Sequence, residues 1–311
     1  MTDIAIGVDL GGTKIAFVAV DRDGQILATH TEPTLASEGA DAVIGRMVRG
    51  IEQVRGSLPI AGIGIGCPGP VVDGVAVNAV NLGWRKLPLV ERVREQIALD
   101  VPVYAQNDVN AGAVAELVFG AARGVTDFVY IAVGTGVGGG AFVDGHLVNG
   151  ANGFGMEVGH ISVDPHGRLC PCGNHGCVEM YLSGKGVVAG AQAHLVDHPT
   201  SSLIHAELNT HAILEAARQG DALALQAVSE AGEALGTALA WCMALFDPAL
   251  IVVGGGLGMA AYDLLHEPAL TAMQARLMPD LAPYIHVERS QIEASGLGPA
   301  ALVWYGQADS Y

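Results

Sequence analysis

Three of the chain's five cysteines fall close together, Cys170, Cys172 and Cys177, in the string LCPCGNHGCVE (169–179). Cys-Pro-Cys between glycines is not a core pattern, so buried reduced thiols explain it poorly. The C-x-C-x₄-C spacing, with Gly173 and Gly176 allowing a tight wrap, suits one ion instead, and thiolates are zinc ligands. A structural zinc site takes four ligands, so the fourth must come from elsewhere. His160, His166 and His175 are all near, and spacing alone leaves the choice open. Cys67 and Cys242 lie in apolar runs and read as core residues.

A second group suits phosphate chemistry. Asp9-Leu10-Gly11-Gly12-Thr13-Lys14 is a glycine turn with free N–H groups and a hydroxyl, which can cradle phosphate oxygens. Its spacing is not that of a P-loop. Gly134-Thr135-Gly136-Val137-Gly138-Gly139-Gly140 has almost no side chains, which is useful where backbone must approach a ligand closely. Gly254-Gly255-Gly256 follows a strand and could lie against a base or ribose. Asn107-Asp108-Val109-Asn110 sits where a strand hands over to a helix. The positive field of a helix N-terminus favours an ionised Asp108, which could accept a proton from a sugar hydroxyl. The same aspartate could simply cap the helix.

The elements that must hold these residues read as α/β. IAIGVDL (4–10), IAFVAVD (15–21) and QILATHTEP form a meander. Residues 39–56 carry apolar positions at helical spacing, Ala42, Val43, Ile44, Met47, Val48, Ile51 and Val54. IAGIGIGCPGP (60–70) is a buried strand, PLVERVREQIA (88–98) an amphipathic helix, VPVYAQND (101–108) a strand and NAGAVAELVFG (110–120) a helix. The opening pattern then returns in DFVYIAVGTGVGGGAFVDGHLV (127–148), with AFV after the glycine turn in both copies. Such a repeat implies duplicated α/β halves facing a cleft. DPALIVVGGGLG (247–258) is a further strand and loop, and GLGPAALVWYG (296–306) a closing helix that packs back on the first half.

Composition excludes some partners. Acidic residues outnumber basic ones 32 to 15, a formal charge of −17. Nucleic acid and anionic membrane need a basic footprint, so neither is expected. A phosphorylated ligand would have to be held by backbone N–H groups and a metal. The 43 glycines, clustered after apolar runs, suggest backbone brought close to a ligand. No signal peptide or membrane span is expected, and a cytoplasmic location favours metal over disulfide for the cysteines.

Taken together, DLGGTK (9–14), NDVN (107–110), GTGVGGG (134–140), EVGH (157–160), CPCGNHGCVE (170–179) and VVGGG (252–256) resemble the ROK family of bacterial sugar kinases and sugar-responsive repressors. They follow the family's order over residues 4–256. Val109 departs from the small residue usual there, at a position without a chemical role. The resemblance implies an actin-like (ribonuclease H-like) ATPase fold, two duplicated α/β lobes around a cleft. The expected lobes are residues 1–118 plus 297–311, and 119–296 with a zinc-binding loop at 160–179. It implies Asp108 as the base acting on a sugar 6-hydroxyl, and sugar contacts from Asn107, Asp108, Glu157, His160 and Glu179. It implies zinc held by His160, Cys170, Cys172 and Cys177, which resolves the fourth ligand. Nucleotide binding would fall to Asp9, Gly11, Gly12, Thr13, Lys14, Gly134, Thr135, Gly136, Gly138, Gly254, Gly255 and Gly256, with Asp9 reaching Mg²⁺ through water. ATP, Mg²⁺ and a structural Zn²⁺ are the implied cofactors, and a homodimer is the family expectation.

Asn81-Leu82-Gly83-Trp84, followed by Leu87-Pro88-Leu89, resembles the corresponding segment of family glucokinases and points to glucose. A kinase for mannose, N-acetylglucosamine or N-acetylmannosamine is the alternative. A non-catalytic sugar-responsive regulator is the third reading. Family repressors carry a helix-turn-helix ahead of the first glycine turn, whereas here the first strand is expected from Ile4. The acidic charge also opposes DNA binding.

Overall fold

The computed structural model describes residues 4–308. The ends of the expected first lobe, residues 1–3 and 309–311, lie outside the described residues. The chain forms two compact units. One takes the described residues up to Gly124, then Leu147–Gly155, then those from Gln291 on; the other takes Val125–His146 and Met156–Ser290. The expected lobes changed over at 118/119 and 296/297 and made no provision for Leu147–Gly155.

The first unit opens with the meander, β1 (Ile4–Leu10), β2 (Lys14–Asp21) and β3 (Ile26–Pro33), antiparallel throughout. Helix α1 (Ala40–Arg55) follows, its stripe of Val43, Ile44, Met47, Val48, Ile51 and Val54 buried as the spacing required. β4 (Gly62–Cys67) pairs parallel to β1. A small sheet of β5 (Val71–Val72), β6 (Val75–Ala79) and β7 (Trp84–Leu87) was not expected, because strands this short carry too little alternation to read. α2 (Leu89–Gln96), β8 (Val103–Asn107) and α3 (Asp108–Val118) complete this stretch. The main sheet has the order β3-β2-β1-β4-β8.

The second unit repeats the plan. β9 (Phe128–Val133) and β10 (Val137–Val143) form the hairpin, followed by the short β11 (His146–Leu147), whose second residue already counts with the first unit. Helices α4 (Glu179–Leu182), α5 (Gly184–His194), α6 (Thr210–Arg218) and α7 (Ala222–Phe246) come next. β12 (Leu250–Gly254), α8 (Gly256–Ala260), α9 (Tyr262–Gln274) and β13 (Val287–Arg289) end the unit. The order is β11-β10-β9-β12-β13. In both sheets an antiparallel hairpin closes on a glycine turn, Leu10 opposite Ile15 in one and Val133 opposite Val137 in the other. A parallel strand then lies on the far side of the hairpin's first strand, β4 or β12. The duplication visible in sequence is therefore a duplication of topology.

The last helix, α10 (Leu297–Ala308), returns to the first unit and packs against β1 and β4. Ala300, Val303 and Trp304 join Ala5, Val18 and Val20 in a small core. Gly7 and Gly64 are paired in register beneath it. A methyl group at Gly7 would lie 2.2 Å from the Gly296 carbonyl oxygen, and one at Gly64 1.8 Å from that of Pro299. In the second unit, Gly236 of α7 gives α9 the same closeness, 2.2 Å from the Ala269 carbonyl oxygen. Part of the glycine excess read as ligand approach is thus helix packing at near-backbone distance.

Candidate active site and metal centre

The predicted nucleotide and base residues of the first unit gather at the C-terminal ends of its parallel strands, where open α/β sheets bind ligands. Asp9 is the last residue but one of β1, with the turn Gly11–Lys14 behind it, and Asp108 follows β8. β4 lies between those two strands. The turn is closed by the Gly11 N–H donating to the Lys14 carbonyl oxygen at 3.0 Å. Gly12 sits against Asn81, whose Cβ would be 3.0 Å from a methyl group there.

Asp108 is the first residue of α3 rather than its cap. The cap is Asn107, whose Oδ1 accepts the N–H groups of Val109 at 2.9 Å and Asn110 at 3.1 Å. Asn107 Nδ2 donates to the Gly69 carbonyl oxygen at 3.2 Å, so most of this amide's bonding capacity is already used. Asp108 Oδ1 accepts the Val109 N–H at 2.9 Å. The helix field that favours an ionised Asp108 is opposed here by desolvation. Its side chain keeps an exposed face but is otherwise surrounded by protein, and that desolvation pushes its pKa up to about 6. The Asp9 charge adds to the rise, while hydrogen bonds from the Val109 N–H and the Asn107 side chain oppose it. Such a carboxylate is still ionised at neutral pH and is more basic than a free one, as a proton acceptor needs to be.

Cys67, at the end of β4, is buried and its thiol is pushed up to about 12 by desolvation, then by the charge of Asp108. Cys242 in α7 is buried and likewise pushed up to about 12. Both are inert core thiols.

In the second unit, the turn Gly134–Gly136 ends β9 and Gly254–Gly256 ends β12. These strands are parallel neighbours, with Ala132 opposite Gly254, so the two glycine loops lie side by side. Gly254 and Gly255 have no room for a side chain: methyl groups there would lie 2.7 Å from the Tyr130 ring and 2.5 Å from the Val133 carbonyl oxygen. Gly134 and Gly256 have nothing within 4 Å and face open space. The Gly134 carbonyl oxygen accepts the N–H of Gly184, the first residue of α5, at 3.0 Å.

Glu157, His160 and Glu179 also belong to this unit. Glu157 is exposed, and no hydrogen bond holds its carboxylate among the described residues. Glu179 opens α4, and its Oε2 accepts the Val137 N–H at 3.0 Å. Gly159 backs onto the same residue, where a methyl group would lie 2.0 Å from the Val137 carbonyl oxygen.

The three cysteines meet His160, and the four ligand atoms all lie within 4.8 Å of one another. Cys172 and Cys177 sulfurs are 3.6 Å apart, and Cys170 Sγ is 3.7 Å from His160 Nδ1. Zinc bonds of about 2.3 Å to sulfur and 2.0–2.1 Å to nitrogen give tetrahedral edges of about 3.8 and 3.6 Å. These two edges match the lengths expected of a tetrahedral ion, and the four residues can hold a metal. His175 is turned away, its Nδ1 against the Gly167 carbonyl oxygen at 3.0 Å. His166 belongs to the Asp164–Gly167 turn and is not in the cluster.

A cavity of about 590 Å³ lies in the first unit along Val72, Asp73, Arg94, Tyr104, Gln106 and Asn149. Asp9 and Asp108 do not line it. It touches the site only through Gln106, whose Oε1 accepts the Asn107 N–H at 2.8 Å.

The ROK family model matches residues 5–305. The chain belongs to the ROK family. Its fold is accordingly the actin-like ATPase fold. It is 37% identical over 275 residues to the glucokinase of Streptomyces coelicolor, covering 85% of each chain. It is 37% identical over 317 residues to the N-acetylmannosamine kinase of Escherichia coli strain SMS-3-5, covering 99% of each. A ROK family glucokinase from Streptomyces griseus, solved with glucose and AMPPNP, superposes with a TM-score of 0.80 at 33% identity, covering 96% of this chain and 98% of that one. The chain is a sugar kinase of this family, a phosphotransferase. No helix among the described residues is long and apolar enough to cross a membrane.

Proposed function

We propose that the chain transfers a phosphoryl group from MgATP to the 6-hydroxyl of glucose, with Asp108 as general base. The observation that carries this reading is the placement of Asp108, beside the charge of Asp9 and with a pKa raised to about 6. Phosphoryl transfer has a loose transition state, so positioning and charge stabilisation matter more than proton removal. Asp9 would bind Mg²⁺ through water. The turns at Gly11–Lys14 and Gly134–Gly138 would take the phosphates, and Gly254–Gly256 would lie near adenosine. In a chain of formal charge −17, backbone N–H groups and Mg²⁺ supply the field that basic side chains do not.

Asn107, Asp108, Glu157, His160 and Glu179 would bind the sugar. The convergence of these ligand atoms within 4.8 Å of one another supports zinc held by His160, Cys170, Cys172 and Cys177. With four protein ligands no position stays open, so the ion would be structural. It would hold His160 by Nδ1 and leave Nε2 for a sugar hydroxyl. The expected homodimer and cytoplasmic location belong to this same reading.

Glucose is favoured by the Asn81–Trp84 segment and by the Streptomyces glucokinases. The Escherichia coli N-acetylmannosamine kinase, equally identical over more of the chain, supports an N-acetyl sugar as the second reading. A coupled ADP-release assay across glucose, mannose, N-acetylglucosamine, N-acetylmannosamine and fructose decides. The expected result is the highest kcat/KM on glucose. A higher value on an N-acetyl sugar reassigns the substrate, and no turnover on any of them overturns the kinase assignment.

A further inference from the structure

We propose that Arg168 is the positioning residue that locks the metal-holding loop onto the helical body of the second unit. Arg168 lies two residues before Cys170. Its Nη1 donates to the carbonyl oxygens of Met180 at 3.0 Å and Gly186 at 3.1 Å. Its Nη2 donates to Glu230 Oε2 at 2.6 Å. The guanidinium also lies over the Tyr181 ring, 4.5 Å from its centre, while its backbone N–H donates to the Tyr181 hydroxyl at 3.2 Å. One side chain thus reaches α4, α5 and α7 from the loop.

The identity of the residue follows from the geometry. A planar fork can serve two carbonyls and a carboxylate at once while stacking on a ring, and an ammonium cannot. Glu230 is oriented from its other side by His194, whose Nε2 is 3.0 Å from Oε1. Gly190 keeps the space open, since a methyl group there would lie 2.9 Å from Glu230 Oε2. Arg168 and Glu230 are both mostly shielded, so their pair is screened less than a surface pair.

The points that Arg168 grips are not arbitrary. Met180 follows Glu179, which holds the Val137 N–H. Gly186 lies in the first turn of α5, whose Gly184 holds the Gly134 carbonyl oxygen. The cysteine loop, the Glu179 carboxylate and the second glycine turn are therefore referred to one cation. Arg168 touches none of the proposed reactants and acts through the residues that do.

The consequence at the ion rests on the metal reading above, so the test uses two readouts. In zinc-loaded protein, Arg168→Met is expected to release zinc to a chelating dye about tenfold faster than wild type, because charge-assisted contacts that order the loop are gone. In metal-stripped protein, hydrogen exchange over residues 162–178 is expected to rise in Arg168→Met and Glu230→Gln, with exchange in β12 unchanged. Arg276→Met is the control. It removes another arginine contact to α7, Nη2 to Glu233 Oε1 at 2.6 Å, away from the loop, and should leave loop exchange as in wild type. Wild-type rates in Arg168→Met for both readouts overturn the proposal. If wild type takes up no zinc, the metal reading fails alone, and the exchange comparison still decides the role of Arg168. Should Arg168→Met not fold, Arg168→Lys decides by the same rates, because it keeps the charge and loses the fork.

Discussion

The Glu179 carboxylate accepts the backbone N–H of Val137 at 3.0 Å. The residue that opens α4, two places past Cys177, is thereby tied to the glycine turn between β9 and β10. A methyl group at Gly136 would stand 2.6 Å from the same Glu179 oxygen. Gly136→Ala should therefore push Glu179 off Val137. Each of Gly136→Ala and Glu179→Ala is expected to lower kcat/KM by about tenfold or more, the worth of a charge-assisted hydrogen bond. The double variant should fall little further, because both break one contact. Fully additive losses in steady-state kinetics would mean that the contact does not matter to turnover. Glu179→Gln keeps an acceptor for Val137 and separates the loss of charge from the loss of the turn.

Asp108 carries the pH dependence. With its pKa raised to about 6, the proposed base is lost as pH falls through that value, so kcat/KM should drop on an acid limb centred there. Asp108→Asn should cost about 10²–10⁴-fold in kcat while changing sugar affinity less. The same substitution should stabilise the fold. A carboxyl group whose folded pKa exceeds its unfolded value costs stability once ionised. The cost is absent below the unfolded value of 3.8, grows up to about pH 6 and is constant above it. Thermal melts should therefore show Asp108→Asn above wild type at pH 7.5 and level with it near pH 3.5. An equal gain at both pH values would assign the effect to something other than charge.

The sequence made the strands and the chemistry legible where neighbouring residues carry the signal. β1 and β2 are apolar runs broken by a glycine turn, and Cys-Pro-Cys between glycines is legible because ligand types are adjacent. What depended on three-dimensional direction was not legible. His160, His166 and His175 are all near the cysteines in sequence, and only backbone geometry turns one of them inward. Asp and Asn are both favoured caps, and only the backbone shows that Asn107 takes the cap of α3 and Asp108 does not. Gly7 and Gly64 look like ligand-approach glycines, yet they serve α10, which is over two hundred residues away in sequence. Arg168 had no signal at all, since one arginine beside a cysteine string reads as surface charge. Its partners lie twelve to sixty-two residues away.

The cysteine cluster should bind about one zinc per chain, because four ligands make one closed site. His160→Ala should leave the protein with little or no zinc by elemental analysis, and should also weaken the sugar. Stripping zinc from wild type should lower Tm, since an ion bound only by the folded state stabilises it by mass action. Cys172→Ser should lose zinc while leaving His160 in place. Its sugar affinity therefore tells whether the ion matters to recognition beyond supplying the histidine. Retention of zinc by His160→Ala would remove that residue from the ligand set.

Glycines of the two kinds should part company under the same substitution. At Gly64 an added methyl group meets the Pro299 carbonyl oxygen at 1.8 Å, backbone against backbone, with no flexible side chain to yield. Gly64→Ala is expected to cost about 3 kcal/mol or more by overpacking, visible as a lower urea midpoint or as failure to fold. At Gly134 an added methyl group meets nothing within 4 Å. Gly134→Ala should keep its urea midpoint and raise KM for ATP, because the methyl group would occupy the space proposed for phosphate. A wild-type KM in Gly134→Ala would take that turn out of the nucleotide site. Wild-type stability in Gly64→Ala would mean that α10 can lift off the sheet without loss.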